Sequence, residues 1–175
     1  SPHFSDKVLC LFKENKNGEL QLSKIDPVSN DLVLITPFDS TFSYLDAPVN
    51  LKAWQEGKRL NLLAYQTHEG NSILYQSIDK GASWQEVGFL PTIPWKVGLY
   101  ISPSNPKHLF YGEVDCFRSI DGGKTWNVVN PWWEYYNDVG SKLHADIMHF
   151  AEFVNKDKNP FLLISHHGGL SISYD

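Results

Sequence analysis

The sequence predicts an all-β protein made of four-stranded antiparallel sheets, the blades of an incomplete β-propeller. The first observation behind this fold class is an eight-residue pattern that begins at Ser77 and again at Ser119. The spacing of 42 residues matches the ~40–50 residues of one blade. The second is that strand-like runs fill the chain, while no segment shows sustained helical periodicity. Because propellers close with ~4–8 blades, the chain is expected to form about three or four blades of a larger ring.

The predicted strands form one partial propeller with four parts. Residues 1–50 form an incomplete first blade, and 51–90 and 91–130 each form a full blade that ends in the repeated pattern. Residues 131–175 form an insertion and a further incomplete blade. Each strand is an apolar or alternating run bounded by turn residues. In chain order the predicted strands are 8–13, 20–25 and 32–36; 52–54, 60–66, 72–77 and 84–87; 96–101, 108–113, 115–119 and 126–129; and 145–154, 161–165 and 170–174.

Turn residues support this division. The pair Asn17-Gly18 ends the loop between the first two strands, as is typical of a hairpin. The segments 102–106 and 155–160 both contain Asn and Pro and both connect the first and second strands of their blades. This equivalence supports the register of the repeats independently of the eight-residue pattern.

Both copies of the pattern read Ser-x-Asp-x-Gly-x-Ser/Thr-Trp, and each residue type has a physical reason to be there. The Asp carboxylate accepts hydrogen bonds from nearby backbone N–H groups, and the Gly supplies the positive φ of a tight loop. The hydroxyl joins the same network, and the Trp begins a strand with its indole N–H free to reach a carbonyl. These roles are structural, so neither Asp is expected to be a catalytic acid. The matching residues are Ser77, Asp79, Gly81, Ser83 and Trp84, and Ser119, Asp121, Gly123, Thr125 and Trp126.

A third copy of the pattern begins at Ser173 and is incomplete. Residues 169–175 reach the Asp of the pattern but not its Gly or its Trp. The last predicted blade therefore lacks an outer strand, and such an edge favours pairing or aggregation. We expect these residues to be a fragment of a longer protein, or part of a ring that a second copy or another chain completes.

Composition and charge exclude some classes of partner. A net charge of -5 and a pI near 5.8 argue against nucleic acid, which needs a basic surface to follow its phosphates. No apolar run approaches the ~18 residues of a membrane span. No signal peptide is present, so targeting information is expected to have been removed or to lie elsewhere. Cys10 and Cys116 form either one disulfide or a pair of core thiols, and we favour the core thiols. No cofactor is predicted.

A ligand is expected on the face formed by the connections between blades and by the turns between second and third strands, because loops carry function. The repeated patterns fall on the opposite face. The insertion at 130–140 places four aromatic residues within five positions. The predicted ligand-binding residues are Trp95, Trp132, Trp133, Tyr135, Tyr136, His144, Asp146, His166 and His167.

Several interpretations of this group are open. Aromatic rings beside carboxylates suit a saccharide, but the same aromatic residues could simply fold the insertion onto the rim. His144 and Asp146, expected to alternate on one side of a strand, are weak candidates for a divalent metal. We favour a buried hydrogen-bonded pair and predict no metal. The candidates for acid–base catalysis are Glu113, Asp115 and Asp146, with Glu134 added by its location.

The repeated pattern resembles the Asp box, or BNR repeat, of known β-propellers. Residues 126–136, 143–147 and 168–175 look like secreted Asp-box proteins of Bacteroidetes, and more distantly like sortilin-type and xyloglucanase- or sialidase-type propellers. The resemblance covers about residues 60–175 and implies an extracellular, cell-surface or periplasmic location. The chain departs from the usual Thr/Asn-Asp-Gly-Gly segment, because His166-His167 precede Gly168-Gly169.

Three functional hypotheses follow. The favoured one is a non-catalytic propeller that binds a glycan or a protein partner on its loop-rich face. The alternative is a glycoside hydrolase fragment, xyloglucanase-like or sialidase-like, with two carboxylates facing one cleft. A sialidase is disfavoured because the resemblance implies three substrate-binding arginines, whereas the chain contains only Arg59 and Arg118. The third hypothesis is a structural or sorting scaffold. Glycan binding predicts exposed rings coplanar with a cleft floor, and a scaffold predicts buried rings.

Overall fold

The computed structural model describes residues 10–14, 20–25, 32–37, 50–68, 70–79, 81–92 and 98–174. Side chains are described from residue 51 onward, except those of residues 66 and 68. The chain divides into two compact units, residues 1–88 and 89–175. Throughout the described residues the sheets are antiparallel, as the sequence predicts.

The first unit contains one three-stranded and one four-stranded sheet among its described residues. The three-stranded sheet has the order β1-β2-β3 and the four-stranded sheet the order β4-β5-β6-β7. Neighbours in sequence are therefore neighbours in the sheet, which is the arrangement of a propeller blade. The strands are β1 (Cys10–Glu14), β2 (Leu20–Ile25), β3 (Leu32–Pro37), β4 (Asn50–Glu56), β5 (Arg59–His68), β6 (Asn71–Ser77) and β7 (Gln85–Phe89).

The second unit repeats this arrangement. Strands β8 to β11 form a four-stranded sheet and β12 to β14 a three-stranded one, again in sequence order. A short 3-10 helix, Trp132–Tyr136, lies in the insertion between the two sheets. The strands are β8 (Gly98–Ile101), β9 (Leu109–Gly112), β10 (Cys116–Ser119), β11 (Asn127–Val128), β12 (Ile147–Val154), β13 (Pro160–His166) and β14 (Gly169–Ser173).

The three copies of the pattern begin at the same position of their sheets. Ser77 pairs with Leu62, Ser119 with Leu109, and Ser173 with Leu162. In each case a serine on the third strand faces a leucine on the second. The partial third copy is therefore in the same register as the two complete ones, although its Asp175 lies outside the described residues.

The core of the second unit lies between its two sheets. Phe110 and Cys116 from the four-stranded sheet pack with Phe150 and with other buried side chains of β12 and β13, namely Ile147, Leu162 and Ile164. Cys116 is a free thiol, and burial, with a smaller contribution from the charge of Asp115, raises its pKa to about 12. The prediction of a core thiol is therefore confirmed for Cys116, whereas the side chain of Cys10 lies outside the described residues.

Two predictions about the segment before β12 are wrong. The strand predicted for 145–154 begins at Ile147, because Asp146 has a φ of 61° and cannot continue an extended strand. His144 and Asp146 therefore do not alternate along a strand. The helix at Trp132–Tyr136 was not predicted, since a helix of five residues is too short to show periodicity.

The outer side of the last sheet is exposed. Leu170, Ile172 and Tyr174 alternate along β14 and its end, and all three side chains are largely accessible. Among the described residues β14 pairs with β13 alone. No helix in the described part of the chain is long and apolar enough to span a membrane.

Candidate functional site

The two complete copies of the pattern form closely similar loops, here called motif loop 1 (residues 77–84) and motif loop 2 (residues 119–126). In motif loop 2, Asp121 accepts hydrogen bonds from the Thr125 backbone N–H at 3.0 Å and from its hydroxyl at 2.6 Å. Gly123 has a φ of 96°, and the Trp126 indole N–H donates to the Gly123 carbonyl at 3.1 Å. Motif loop 1 has the same bonds from Ser83 to Asp79 and from Trp84 to Gly81. Each of these side chains therefore helps to hold its own loop.

Each loop also has a buried centre that the sequence reasoning missed. The Ser119 hydroxyl donates to Asp121 at 2.8 Å and accepts the Gly123 backbone N–H at 2.9 Å. Ser77 does the same with Asp79 and Gly81. Both serines are buried, so each hydroxyl replaces the water that would otherwise satisfy the glycine N–H.

These hydrogen bonds hold both aspartates in the ionised form. Accepting bonds from Ser83 and Ser77 lowers the pKa of Asp79 to about 2, and bonds from Thr125 lower that of Asp121 further. A carboxyl with a lowered folded pKa contributes stability above its unfolded pKa, and the contribution is lost as the pH falls through the folded value. Neither aspartate has the raised pKa of a catalytic acid.

Ser119→Ala is expected to lower the free energy of unfolding by about 1–3 kcal/mol, because it leaves the Gly123 N–H buried without an acceptor. Urea unfolding measures the change. Ile120→Ala is the matched control, because the Ile120 side chain is largely exposed. Its removal should change the free energy of unfolding by no more than about 0.5 kcal/mol. Equal effects of the two variants would show that the hydroxyl does not hold the loop.

At the end of the second unit opposite motif loop 2, one buried side chain joins the two ends of the long insertion. The Asn130 amide accepts the Leu143 N–H at 2.9 Å and donates to the Leu143 carbonyl at 3.1 Å. It also donates to the Pro131 carbonyl at 2.9 Å. Asn130 therefore joins the two ends of the segment 130–143 and fixes where the helix between them lies.

The helix itself is held by carboxylates. Asp115, on the turn after β9, accepts the Trp132 backbone N–H at 2.7 Å. Glu134 forms a 2.8 Å ion pair with Lys142, which raises the pKa of that lysine. Asp138 accepts the backbone N–H of Lys142 through its carbonyl and that of Ser141 through its side chain. The insertion is thus an ordered element of the rim.

The aromatic rings of this helix remain accessible. The exposed fractions are 37% for Trp132, 56% for Trp133 and 64% for Tyr136. The rings meet edge to face: Trp132 lies at 84° to Trp133 and at 85° to Tyr136, with centroids 6.0 and 6.2 Å apart. Exposure is what the glycan-binding hypothesis predicts, whereas the coplanar arrangement it also predicts is not found.

One histidine packs against the helix, and two more pack against that histidine. The His144 ring packs edge-on against Tyr135, with centroids 4.7 Å apart, and stacks on His166 at 6.1 Å. It also meets His167 edge-on at 5.9 Å. Backbone bonds place these residues together, because Asp146 N–H donates to Val114 and His167 N–H donates to Ala145. The structure therefore brings the insertion and both turns of this end together.

Two other candidate residues, Glu113 and Asp146, make defined contacts. Glu113 is buried and accepts the Tyr111 hydroxyl at 3.4 Å, and Ile147 N–H donates to its carbonyl. Asp146 approaches His167, with Oδ2 3.4 Å from Nδ1. Trp95 lies outside the described residues. In the part of the chain that the structure describes, no group of three or more His, Cys, Asp and Glu side chains is arranged to hold a metal ion.

Comparison with known proteins supports the fold. No family model and no curated protein sequence matches the chain. Among solved structures, a GH74 enzyme of Niastella koreensis matches 99% of this chain with a TM-score of 0.52 and 19% sequence identity. The chain spans 28% of the length of that enzyme. The chain is folded as β-propeller blades.

Within these blades, sequence reasoning missed the residues that position the others. Asn130 and Gly168 are not among the predicted site residues, yet one closes the insertion and the other lies against the His144 ring. An Asn directly after the outermost strand was the only available signal. The contact of Gly168 with His144 depends on the third dimension and has no counterpart in the sequence pattern.

Proposed function

We propose that the chain is part of an extracellular Asp-box propeller whose rim binds a carbohydrate without catalysis. The observation that carries this proposal is the helix Trp132–Tyr136, where three large aromatic side chains are exposed on an ordered element. Exposed apolar area at one place on a soluble protein commonly marks a binding surface. The motif loops support the Asp-box assignment, because every side chain of the pattern is engaged in holding its own loop.

The surroundings of the rings favour a carbohydrate over a flat apolar partner. A sugar presents C–H groups to an aromatic face and hydroxyls to nearby polar atoms, so it needs both kinds of group within one patch. Glu134, Lys142 and His144 lie within the same segment as the rings. Because the Trp132 ring is nearly perpendicular to the rings of Trp133 and Tyr136, the helix offers separate small faces, which suits single sugar units better than a long flat chain.

Trp133→Ala is the test. Glycan-array screening of the 175-residue chain is expected to identify a ligand, and calorimetry should then show at least about a tenfold loss of affinity for the variant, equivalent to about 1.4 kcal/mol. Ile120→Ala, which removes an equally exposed side chain in motif loop 2, should bind like the original chain. Unchanged affinity of Trp133→Ala would remove the aromatic helix from the binding surface.

A second candidate function, glycan hydrolysis, is favoured by the similarity to the GH74 enzyme. Hydrolysis requires a carboxylic acid and a second carboxylate flanking the bond. Asp115 and Asp146 belong to the same end of the unit, but the Trp132 N–H occupies one and His167 approaches the other. Release of reducing ends from bound polysaccharide, abolished by Asp115→Asn or Asp146→Asn, would establish hydrolysis in place of simple binding.

A further inference from the structure

His166 lies at the end of β13, and both of its ring nitrogens are hydrogen bonded. The Gly168 backbone N–H donates to Nδ1 at 3.2 Å, so Nδ1 must carry a lone pair. Nε2 lies 2.9 Å from the Ser171 hydroxyl and therefore carries the proton. The ring is buried. These contacts require the neutral imidazole with its proton on Nε2.

The turn held by this bond lies directly against His144. A Cβ atom on Gly168 would approach His144 Cγ to 2.8 Å and Cβ to 2.9 Å, so the two residues are in tight contact with no room between them. His144 in turn packs edge-on against Tyr135 and Tyr136. A displacement of Gly168 is therefore passed to His144 and from there to the aromatic helix.

We propose that His166 is a positioning residue for the aromatic helix and makes its position depend on pH. With neutral His166, the bond from Gly168 holds the turn and His144 supports the rings. A proton added to Nδ1 turns the acceptor into a donor facing the Gly168 N–H, so this bond breaks and the turn moves off His144. The proposal rests on the proposed function only in taking this helix as the binding surface.

Burial and the neighbouring His144 favour the neutral form of His166, and other titratable groups lie near it. His144 stacks on the ring, His167 and Asp146 lie on the adjoining segments, and Tyr135 and Tyr136 lie beyond His144. Glu113 belongs to the turn whose carbonyl binds Ile147, the strand partner of His166. Burial, followed by the charge of His144, lowers the pKa of His166 below its ordinary 6.5. The arrangement in which neutral His166 holds the turn against His144 is thus complete at neutral pH, and it is lost as the pH falls through the lowered pKa of His166.

Nuclear magnetic resonance of the histidine-labelled chain tests this without a ligand. At about pH 7.5, above the ordinary histidine pKa, the His166 ring should show a proton on Nε2 and none on Nδ1, and its titration midpoint should lie below 6.5. The Gly168 amide signal and the indole signals of Trp132 and Trp133 should shift with the same midpoint. A proton on Nδ1 at that pH, or indole signals that do not follow His166, would overturn the proposal.

Two variants distinguish the effect of His166 from that of its neighbour His167. His166→Asn places a non-titrating oxygen where Nδ1 stood, so it keeps the bond from Gly168 and should abolish the coupled shift. His167→Asn removes the exposed histidine next to it and should leave the shift in place. If His166→Asn does not fold, the titration of the unaltered chain still decides. A failure of Trp133→Ala to affect glycan binding would refute the proposed function alone, because the coupled titration does not depend on a ligand.

Discussion

Phe150→Ala is expected to lower the free energy of unfolding of the second unit by about 3–5 kcal/mol, the usual cost of removing a buried phenylalanine ring. The Phe150 side chain is only 2% exposed and lies among Phe110, Leu162 and other side chains of the core between the two sheets. Its ring is 5.8 Å from both Phe110 and Tyr100.

Phe153→Ala is the matched control, because it changes the same residue type on the same strand. Phe153 is 46% exposed on the opposite face of β12, so its loss should cost less than about 1 kcal/mol. Urea unfolding monitored by tryptophan fluorescence measures both variants. Similar costs for the two would mean that the two sheets of this unit are not packed through Phe150.

The motif loops could be predicted in detail from the sequence because their interactions are local. The side-chain hydrogen bonds of motif loop 2 join residues no more than four positions apart, from Ser119 to Gly123 and from Asp121 to Thr125. Residue types alone determine such a network: a short carboxylate, a glycine with positive φ and a hydroxyl at fixed offsets. The buried serine was missed because the pattern does not show whether its hydroxyl faces the loop or the solvent.

The sheets were predictable for a related reason. Each blade is built of sequential hairpins, so strand order follows chain order and only the ends of strands were misplaced. The start of β12 was misjudged because backbone bonds to Glu113 and Val114, more than thirty positions earlier in the chain, hold Asp146 in a left-handed conformation. Such contacts leave no mark on hydrophobic periodicity.

The sequence predicts which loops form the candidate site, but it does not predict what each side chain of those loops does. Blade geometry predicts that the insertion and the two turns meet, and contacts of His144 with Tyr135 and His166 show that they do. Whether a given side chain is exposed to a ligand or buried as support depends on packing. His166 is buried and Asp115 accepts the Trp132 backbone N–H, and neither contact can be read from the sequence pattern.

Gly112→Ala should destabilise the second unit by about 1–3 kcal/mol through overpacking. A Cβ atom there would lie 2.7 Å from Ile147 Cγ2, 2.9 Å from Ile147 Cβ and 3.0 Å from Phe150 Cε2. Both neighbours are fully buried and cannot turn away into solvent. Gly140→Ala is the control, because the nearest atom to its Cβ, Asp138 Oδ1, is 3.8 Å away, and its effect should stay within about 0.5 kcal/mol.

The close contact between Gly112 and Ile147 also connects the core to the rim. Gly112 is followed by Glu113, whose carbonyl accepts the Ile147 N–H at 2.8 Å, so moving Ile147 moves Asp146 and His144 before it. A double-mutant cycle with Ile147→Ala separates the clash from a general loss of packing, because that change removes the Cγ2 atom that the methyl group introduced by Gly112→Ala would strike. We expect the double variant to be more stable than the sum of the single changes by at least about 0.5 kcal/mol. Strict additivity would mean that the contact with Ile147 Cγ2 contributes little and that the cost of Gly112→Ala comes from the remaining contacts with Ile147 Cβ and Phe150 Cε2.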